Sequence, residues 1–135
     1  SVVIKAAAVS DFRPKVTSKQ KMKKANASRS LELEKTEDIL REIGKRKANR
    51  VLVGFAAETE NLIANARKKL TEKNLDLIVV NDVTKPGAGF GMDTNQVKIL
   101  YPSGEVKDLP LASKEEVSQL ILDEVVRLLK QKSRR

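Results

Sequence analysis

The stretch at residues 51–82, VLVGFAAETENLIANARKKLTEKNLDLIVVND, decides the fold. It opens with an apolar run at 51–57, typical of a strand that is covered on both faces of a parallel sheet. A helix is predicted next, from residue 59 or 60 to a stop at Asn74, because four apolar residues recur at helical spacing: Leu62, Ile63, Ala66 and Leu70. A second apolar run at 75–80 predicts the next strand, which ends at Asn81-Asp82.

The same alternation continues towards the amino terminus. Residues 2–8 are apolar except for Lys5 and predict a strand, and residues 31–34 alternate as a short strand with one wet face. Thr36 is the predicted N-cap of a helix that ends at Gly44 or Asn49.

Towards the carboxyl terminus, strands at 96–101 and 106–109 form a predicted hairpin around a Pro-Ser-Gly turn. Ser113 with Glu116 predicts a capping box for a last helix from about Lys114, and residues 130–135 are expected to form a frayed basic tail. The whole pattern predicts one α/β domain over 1–135. We expect a three-layer sandwich with a Rossmann-like, largely parallel sheet and a C-terminal antiparallel hairpin.

The composition restricts the chemistry. The 135 residues are 40% hydrophobic and 33% charged, which is typical of a globular domain. Cysteine and histidine are both absent, so catalysis cannot use a thiolate or an imidazole. The net charge of +9 favours anionic partners. No apolar run approaches the length of a membrane span, and we expect a cytoplasmic location. The chain opens inside a strand-like run, which fits either a natural start or a fragment truncated at its N-terminus.

Two basic features are candidates for phosphate binding. Residues 13–29 are predicted to form a basic flap loop containing the run Lys21-Met22-Lys23-Lys24, which could close over phosphates. Lys69 and Lys73 are four residues apart on the predicted helix and share a face. Solvated basic surface is the alternative interpretation of both features.

The predicted strand ends are candidates for ligand contacts, because ligands bind at the carboxyl ends of parallel strands. Ala7 and Ala8 would let a flat ligand approach the backbone, Asp11 could bind a sugar, a base or a metal, and Phe55 could stack on a base. The alternative is that the small residues pack helices against the sheet and that Phe55 belongs to the core.

Five motifs in order carry a family resemblance: AAVSDFRP at 7–14, KMKK at 21–24, VGFAAET at 53–59, KNLDLIVVNDV at 73–83, and GFG with DTN at 89–95. Together they resemble phosphopantothenoylcysteine synthetase of the bacterial type, the C-terminal domain of a bifunctional decarboxylase/synthetase. The resemblance implies that 4′-phosphopantothenate attacks a nucleoside triphosphate to give an acyl-nucleotide, which cysteine then converts to an amide. It also implies Mg²⁺, CTP in preference to ATP, a homodimer, an upstream glycine-rich half and a fused or associated flavin-dependent decarboxylase.

The resemblance also assigns roles to residues. Lys21, the first lysine of its motif, would be the catalytic lysine. Asp38-Ile39 match the last two residues of an Asn-Pro-Asp-Ile motif. Nucleotide binding falls to eight residues: Ala7, Ala8, Asp11, Asp38, Ile39, Phe55, Lys69 and Lys73. No metal ligand is assigned.

Two other function classes fit the composition. A small basic nucleic-acid-binding domain would explain the charge, but aromatic residues make up only 3% of the chain, so platforms for base stacking are scarce. The lysines are also concentrated in one loop. A purely structural or dimerising domain is the third interpretation. Nucleotide-specific binding would distinguish the enzyme from both.

Overall fold

The computed structural model describes residues 1–21, 30–84 and 91–134. The chain forms two compact units, one made of Ser1–Ala6 with Leu40–Arg135 and the other of Ala7–Ile39. In chain order the described elements are β1 (Val2–Lys5), β2 (Phe12–Pro14), β3 (Leu33–Lys35), α1 (Ile39–Lys45), β4 (Val51–Glu58), α2 (Leu62–Glu72), β5 (Leu77–Asp82), β6 (Thr94–Asn95), β7 (Val97–Leu100), β8 (Val106–Asp108), β9 (Ala112–Ser113) and α3 (Lys114–Ser133).

The larger unit contains a mixed five-stranded sheet in the order β1-β4-β5-β7-β8. β4 is parallel to both β1 and β5, so Gly54 has Lys5 and Ile78 as its register partners. β7 and β8 continue the sheet as an antiparallel hairpin, and β6 pairs separately with β9. The predicted α/β class, the largely parallel sheet and the C-terminal hairpin are confirmed.

The sheet separates two apolar clusters, which gives the three layers. On one face, α3 covers a cluster that includes Val53, Val79 and Ile121. On the other face, α1 and α2 cover a cluster that includes Leu52 and Leu70. Along each central strand, successive apolar side chains point alternately into one cluster and into the other. The central strands are therefore buried on both faces, as the continuous apolar runs predict.

A carboxylate at the amino end of β5 fixes two cations. Asp76 accepts the backbone N–H of Leu52 at 2.7 Å, and its other oxygen lies 3.0 Å from Lys47 Nζ and 2.9 Å from Lys132 Nζ. Lys132 also donates to the carbonyl of Arg50 at 2.8 Å. The predicted frayed tail at 130–135 is therefore wrong up to Ser133, because these bonds anchor the last turn of α3.

A second charged cluster lies on α3. Glu124 accepts a hydrogen bond from Lys107 Nζ at 2.5 Å and another from Arg127 Nε at 2.7 Å. Burial raises the pKa of Glu124, but these hydrogen bonds outweigh burial and lower the pKa to about 2. The guanidinium of Arg127 also lies 5.2 Å from the centre of the Tyr101 ring, a cation–π geometry. The buried carboxylate is thus compensated on both oxygens.

In the smaller unit β2 and β3 form an antiparallel pair, in which Arg13 is opposite Glu34. Their side chains form an ion pair at 2.7 Å. The predicted basic loop at 13–29 is corrected at its start, because Arg13 and Pro14 belong to β2. Residues 15–21 form no regular element, and residues 22–29 lie outside the described part.

Several predicted element boundaries are wrong. The first strand ends at Lys5 rather than at residue 8, because the chain enters the smaller unit at Ala7. Thr36 is not an N-cap; its hydroxyl donates to the carbonyl of Ser10 at 2.6 Å instead. α2 begins only at Leu62, because Asn61 has a left-handed backbone with φ of 48°.

Two boundary predictions are confirmed. Asn74, with φ of 53°, ends α2 as predicted. The capping box of Ser113 and Glu116 at the start of α3 is present, with Glu116 N–H donating to Ser113 Oγ at 3.1 Å. Among the described residues, no helix is long and apolar enough to cross a membrane.

Candidate functional site

The candidate site of the larger unit is the edge where the parallel strands β4 and β5 end. In register, Ala57 is opposite Asn81 and Glu58 is opposite Asp82. Asp82 Oδ1 accepts the N–H of Thr84 at 3.1 Å and its hydroxyl at 2.6 Å, which closes the turn after β5. Polar side chains therefore follow two buried strands at one edge, as expected for a ligand site in a parallel sheet.

At this edge the structure holds one predicted lysine in a defined position. Lys69 Nζ lies 2.6 Å from Glu58 Oε1, and Asn65 Nδ2 lies 3.2 Å from Glu58 Oε2. Asn65 also donates to the carbonyl of Glu60 at 3.1 Å. Asn65 and Lys69 are one helical turn apart on α2, so both side chains reach the same carboxylate.

Phe55 and Lys69 lie at the same edge but on opposite faces of the sheet. Val53, two residues before Phe55, contributes to the α3 cluster, whereas Ala56 packs with the α2 cluster. Because successive side chains of a strand point to opposite faces of the sheet, Phe55 is on the α3 face and Glu58 is on the α2 face. Phe55 is 38% exposed, so the interpretation of Phe55 as a core residue is wrong.

Lys73 lies at the C-terminal end of α2. It is the C-cap residue, and its backbone N–H donates to the carbonyl of Lys69 at 3.0 Å. The backbone of Lys73 also approaches α1 closely, since a Cβ on Gly44 would meet the Lys73 carbonyl oxygen at 2.1 Å. Because α2 ends at Glu72, the shared helix face of Lys69 and Lys73 stays a prediction.

In the smaller unit, one backbone hydrogen bond links the two segments that carry five of the predicted residues: Ala7, Ala8, Asp11, Asp38 and Ile39. The carbonyl of Asp11 accepts the N–H of Thr36 at 2.9 Å, two residues before Asp38-Ile39. This bond joins the segment after Ala7 and Ala8 to the segment that enters α1. The side chains of Asp11 and Ile39 are exposed, as are Ala7 and Ala8.

Lys21 is also exposed in the smaller unit, at the end of the described segment 1–21. The rest of the predicted KMKK motif, residues 22–24, lies outside the described residues, and so do residues 85–90 of the predicted glycine-containing loop at 85–91. The assignment of Lys21 as the catalytic lysine therefore stays a prediction.

The described residues contain no group of three or more acidic side chains that could hold a metal by themselves. Magnesium is usually bound through one or two carboxylates together with the phosphates of a substrate. A single exposed carboxylate such as Asp11 is compatible with that mode, and a dedicated protein cage is not present in the described part.

Sequence reasoning missed Glu58 and Asn65 as members of the site. Glu58 stands within the VGFAAET motif, and Asn65 precedes Lys69 by four residues. The i, i+4 spacing on a predicted helix could have indicated Asn65. Glu58 could have been found only with the knowledge that β4 continues one residue beyond the apolar run.

The fold and this edge define a class: a Rossmann-like α/β domain with small residues and a fixed lysine at the carboxyl ends of its parallel strands. The sequence matches the family of DNA/pantothenate metabolism flavoprotein C-terminal domains over residues 1–129. Because the match covers almost the whole chain, the chain belongs to this family.

Curated relatives agree with the family. The chain is 53% identical over 134 residues to the coenzyme A biosynthesis bifunctional protein CoaBC of Bacillus subtilis, covering 99% of this chain and 33% of the relative. It is 40% identical over 139 residues to CoaBC of Escherichia coli K12, covering 100% of this chain and 34% of that protein. The chain thus spans about a third of the length of these relatives.

Solved structures give the same result. The crystal structure of the C-terminal domain of a CoaBC protein is 41% identical, with a TM-score of 0.75, and the match covers 96% of this chain and 55% of the other. A Cab2 mutant complex shares the fold at 23% identity, with a TM-score of 0.69. The family and these relatives overturn the alternative of a nucleic-acid-binding domain.

Proposed function

We propose that the chain is the nucleotide-handling part of a phosphopantothenate–cysteine ligase of coenzyme A biosynthesis. The observation that carries the proposal is the Lys69 ammonium fixed at the carboxyl edge of β4, in a chain 53% identical to the Bacillus subtilis CoaBC protein. That edge is where sheets of this type bind ligands, and a cation there favours phosphates.

The proposed reaction has two steps. The carboxylate of 4′-phosphopantothenate attacks the α-phosphorus of CTP, which forms acyl-CMP and releases pyrophosphate. The amine of cysteine then attacks the acyl carbon, and CMP leaves as the amide forms. Neither step requires a thiolate or an imidazole of the protein, which agrees with a chain that contains no cysteine and no histidine. Positive charge around the transferring group supplies the main stabilisation.

The proposed roles follow the predicted residues. Lys69 and Lys73 would bind the triphosphate and Lys21 would act on the reacting groups. Mg²⁺, bound mainly by the phosphates, would neutralise charge that develops on pyrophosphate. The base and ribose contacts fall to the remaining predicted residues: Ala7, Ala8, Asp11, Asp38, Ile39 and Phe55.

Further proposals concern the rest of the protein. One solved neighbour is described as a complex with phosphopantothenate-cysteine, which supports 4′-phosphopantothenate and cysteine as substrates. We also propose a homodimer, a cytoplasmic location, and a fused or associated flavin-dependent decarboxylase, since the relatives are bifunctional proteins about three times as long.

Calorimetric titration of Mg²⁺-CTP and Mg²⁺-ATP into the protein tests this proposal. We expect CTP to bind more tightly than ATP, and Lys21→Ala to weaken the binding of CTP. Lys19→Ala is the matched control, because Lys19 is an exposed lysine two residues earlier in the same segment. Equal weakening by both variants would indicate general electrostatic attraction and contradict the role of Lys21. Absence of nucleotide binding by the folded protein would contradict the proposed function.

A further inference from the structure

A nearly buried carboxylate forms an ion pair with Lys69. The Glu58 side chain is 12% exposed, and each of its oxygens contacts one residue of α2, Lys69 at 2.6 Å and Asn65 at 3.2 Å. Lys69 itself is 41% exposed. The carboxylate is thus held between β4 and α2, while the side chain of the lysine that it binds remains partly exposed to solvent.

This arrangement reduces the freedom of the lysine before any ligand arrives. A lysine side chain has four rotatable bonds and loses much conformational entropy when it is fixed. An ammonium group carries three N–H donors, so the bond to Glu58 leaves donors for an anionic ligand. A ligand that meets Lys69 here meets a cation that is already immobilised, and immobilising such a side chain otherwise lowers affinity.

We propose that Glu58 is a positioning residue for the nucleotide: it acts through Lys69 and fixes this ammonium group where it receives the phosphates. The inference rests on the proposed function and deepens it, because it names the residue that sets the geometry of the phosphate contact. Glu58 itself does not touch the phosphates.

A competing physical effect makes the inference testable. Glu58 is an anion near the proposed phosphates, and its charge alone would repel them. If charge were the dominant effect, Glu58→Gln would bind Mg²⁺-CTP more tightly than the wild type. If position dominates, the same substitution weakens binding, because Lys69 then becomes free to move.

The experiment is a double-mutant cycle with Mg²⁺-CTP as the ligand, measured by calorimetry on wild type, Glu58→Gln, Lys69→Met and the double variant. We expect Glu58→Gln to weaken binding about tenfold, the loss expected for one lysine that must be immobilised on binding. In the Lys69→Met background, Glu58→Gln is expected to have no further effect. Glu72→Gln is the matched control, since Glu72 is an acidic residue of the same helix that forms ion pairs with Arg41 of α1 and with Lys68 instead of Lys69.

A second measurement separates position from folding. In protein labelled at the lysine side chains, NMR relaxation of the Lys69 ε-methylene should show faster motion in Glu58→Gln than in the wild type. Asn65→Ala, which keeps both charges, should loosen Lys69 and weaken binding to a smaller extent, and it serves if Glu58→Gln does not fold.

The outcomes distinguish the two proposals. Normal binding by the wild type, together with equal or tighter binding by Glu58→Gln, would overturn the role of Glu58 and leave the proposed function intact. An unchanged Lys69 signal in that variant would do the same. A folded wild type that binds no Mg²⁺-CTP would overturn both.

Discussion

Substitution of Asp76 is predicted to remove a large part of the stability of the larger unit. Asp76 is 13% exposed, and it binds Lys47, which is 11% exposed, and Lys132, which is 31% exposed. Asp76→Ala removes the acceptor of the Leu52 N–H, a hydrogen bond to a charged group worth about 1.5–3 kcal/mol. It also leaves two partly buried ammonium groups without their carboxylate, which raises the expected loss to about 3–4 kcal/mol.

Urea denaturation followed by circular dichroism measures this loss of unfolding free energy, provided that the slope of the free energy of unfolding against urea concentration is the same in both proteins. Asp76→Asn should lose less, because an amide oxygen can still accept the Leu52 N–H. Asp108→Ala is the control: Asp108 pairs with Lys98 but is exposed, so its loss should stay under about 1 kcal/mol. A loss below about 1 kcal/mol for Asp76→Ala would refute the reasoning.

Three further predictions concern single sites. The pKa of Glu124 is lowered from its ordinary value of 4.5 to about 2 in the folded protein, so its contribution to the free energy of unfolding should be complete above pH 4.5 and be lost as the pH falls towards 2. A Glu124→Gln protein with the same acid unfolding profile as the wild type would contradict this prediction. Ser113→Ala removes the cap that Glu116 N–H binds and should cost about 1 kcal/mol in denaturant titrations, whereas no change would show that the cap is unimportant. Gly44→Ala places a methyl group 2.1 Å from the Lys73 carbonyl oxygen and should lower stability by about 1–3 kcal/mol; a variant with an unchanged thermal midpoint would show that α1 and α2 can separate at no cost.

The central elements could be predicted because burial on both faces leaves an unmistakable pattern. The apolar runs that contain Val53 and Val79 lie in central strands, and the face formed by Ala66 and Leu70 packs on the sheet as predicted. The capping box at Ser113 was also predictable, because its two residues interact over one helical turn.

The errors arise where distant contacts override local preference. β2 lies in a basic segment without strand periodicity, and it forms because its residues pair with β3, about twenty positions later. Thr36 resembles an N-cap in sequence but donates to Ser10, which no local rule indicates. Lys132 belongs to a polar terminus by composition, yet Asp76 holds it in the helix.

The candidate site was only partly predictable for the same reason. Lys69 was found from its motif and its helical spacing, but the anion that fixes it, Glu58, comes from the next strand position after an apolar run. Phe55 was expected beside a ligand, and its exposure agrees with that, whereas its place on the other face of the sheet from Lys69 depends on strand register.

The measurement that tests the central claim most directly is the release of pyrophosphate from Mg²⁺-CTP, without cysteine, by this chain combined with the upstream glycine-rich half that the family resemblance implies. We predict that release requires 4′-phosphopantothenate, stops at about one equivalent per site as acyl-CMP accumulates, and becomes continuous when cysteine is added, with 4′-phosphopantothenoylcysteine as the product. Pyrophosphate release that is independent of 4′-phosphopantothenate, or no release by a protein that binds CTP, would contradict the account.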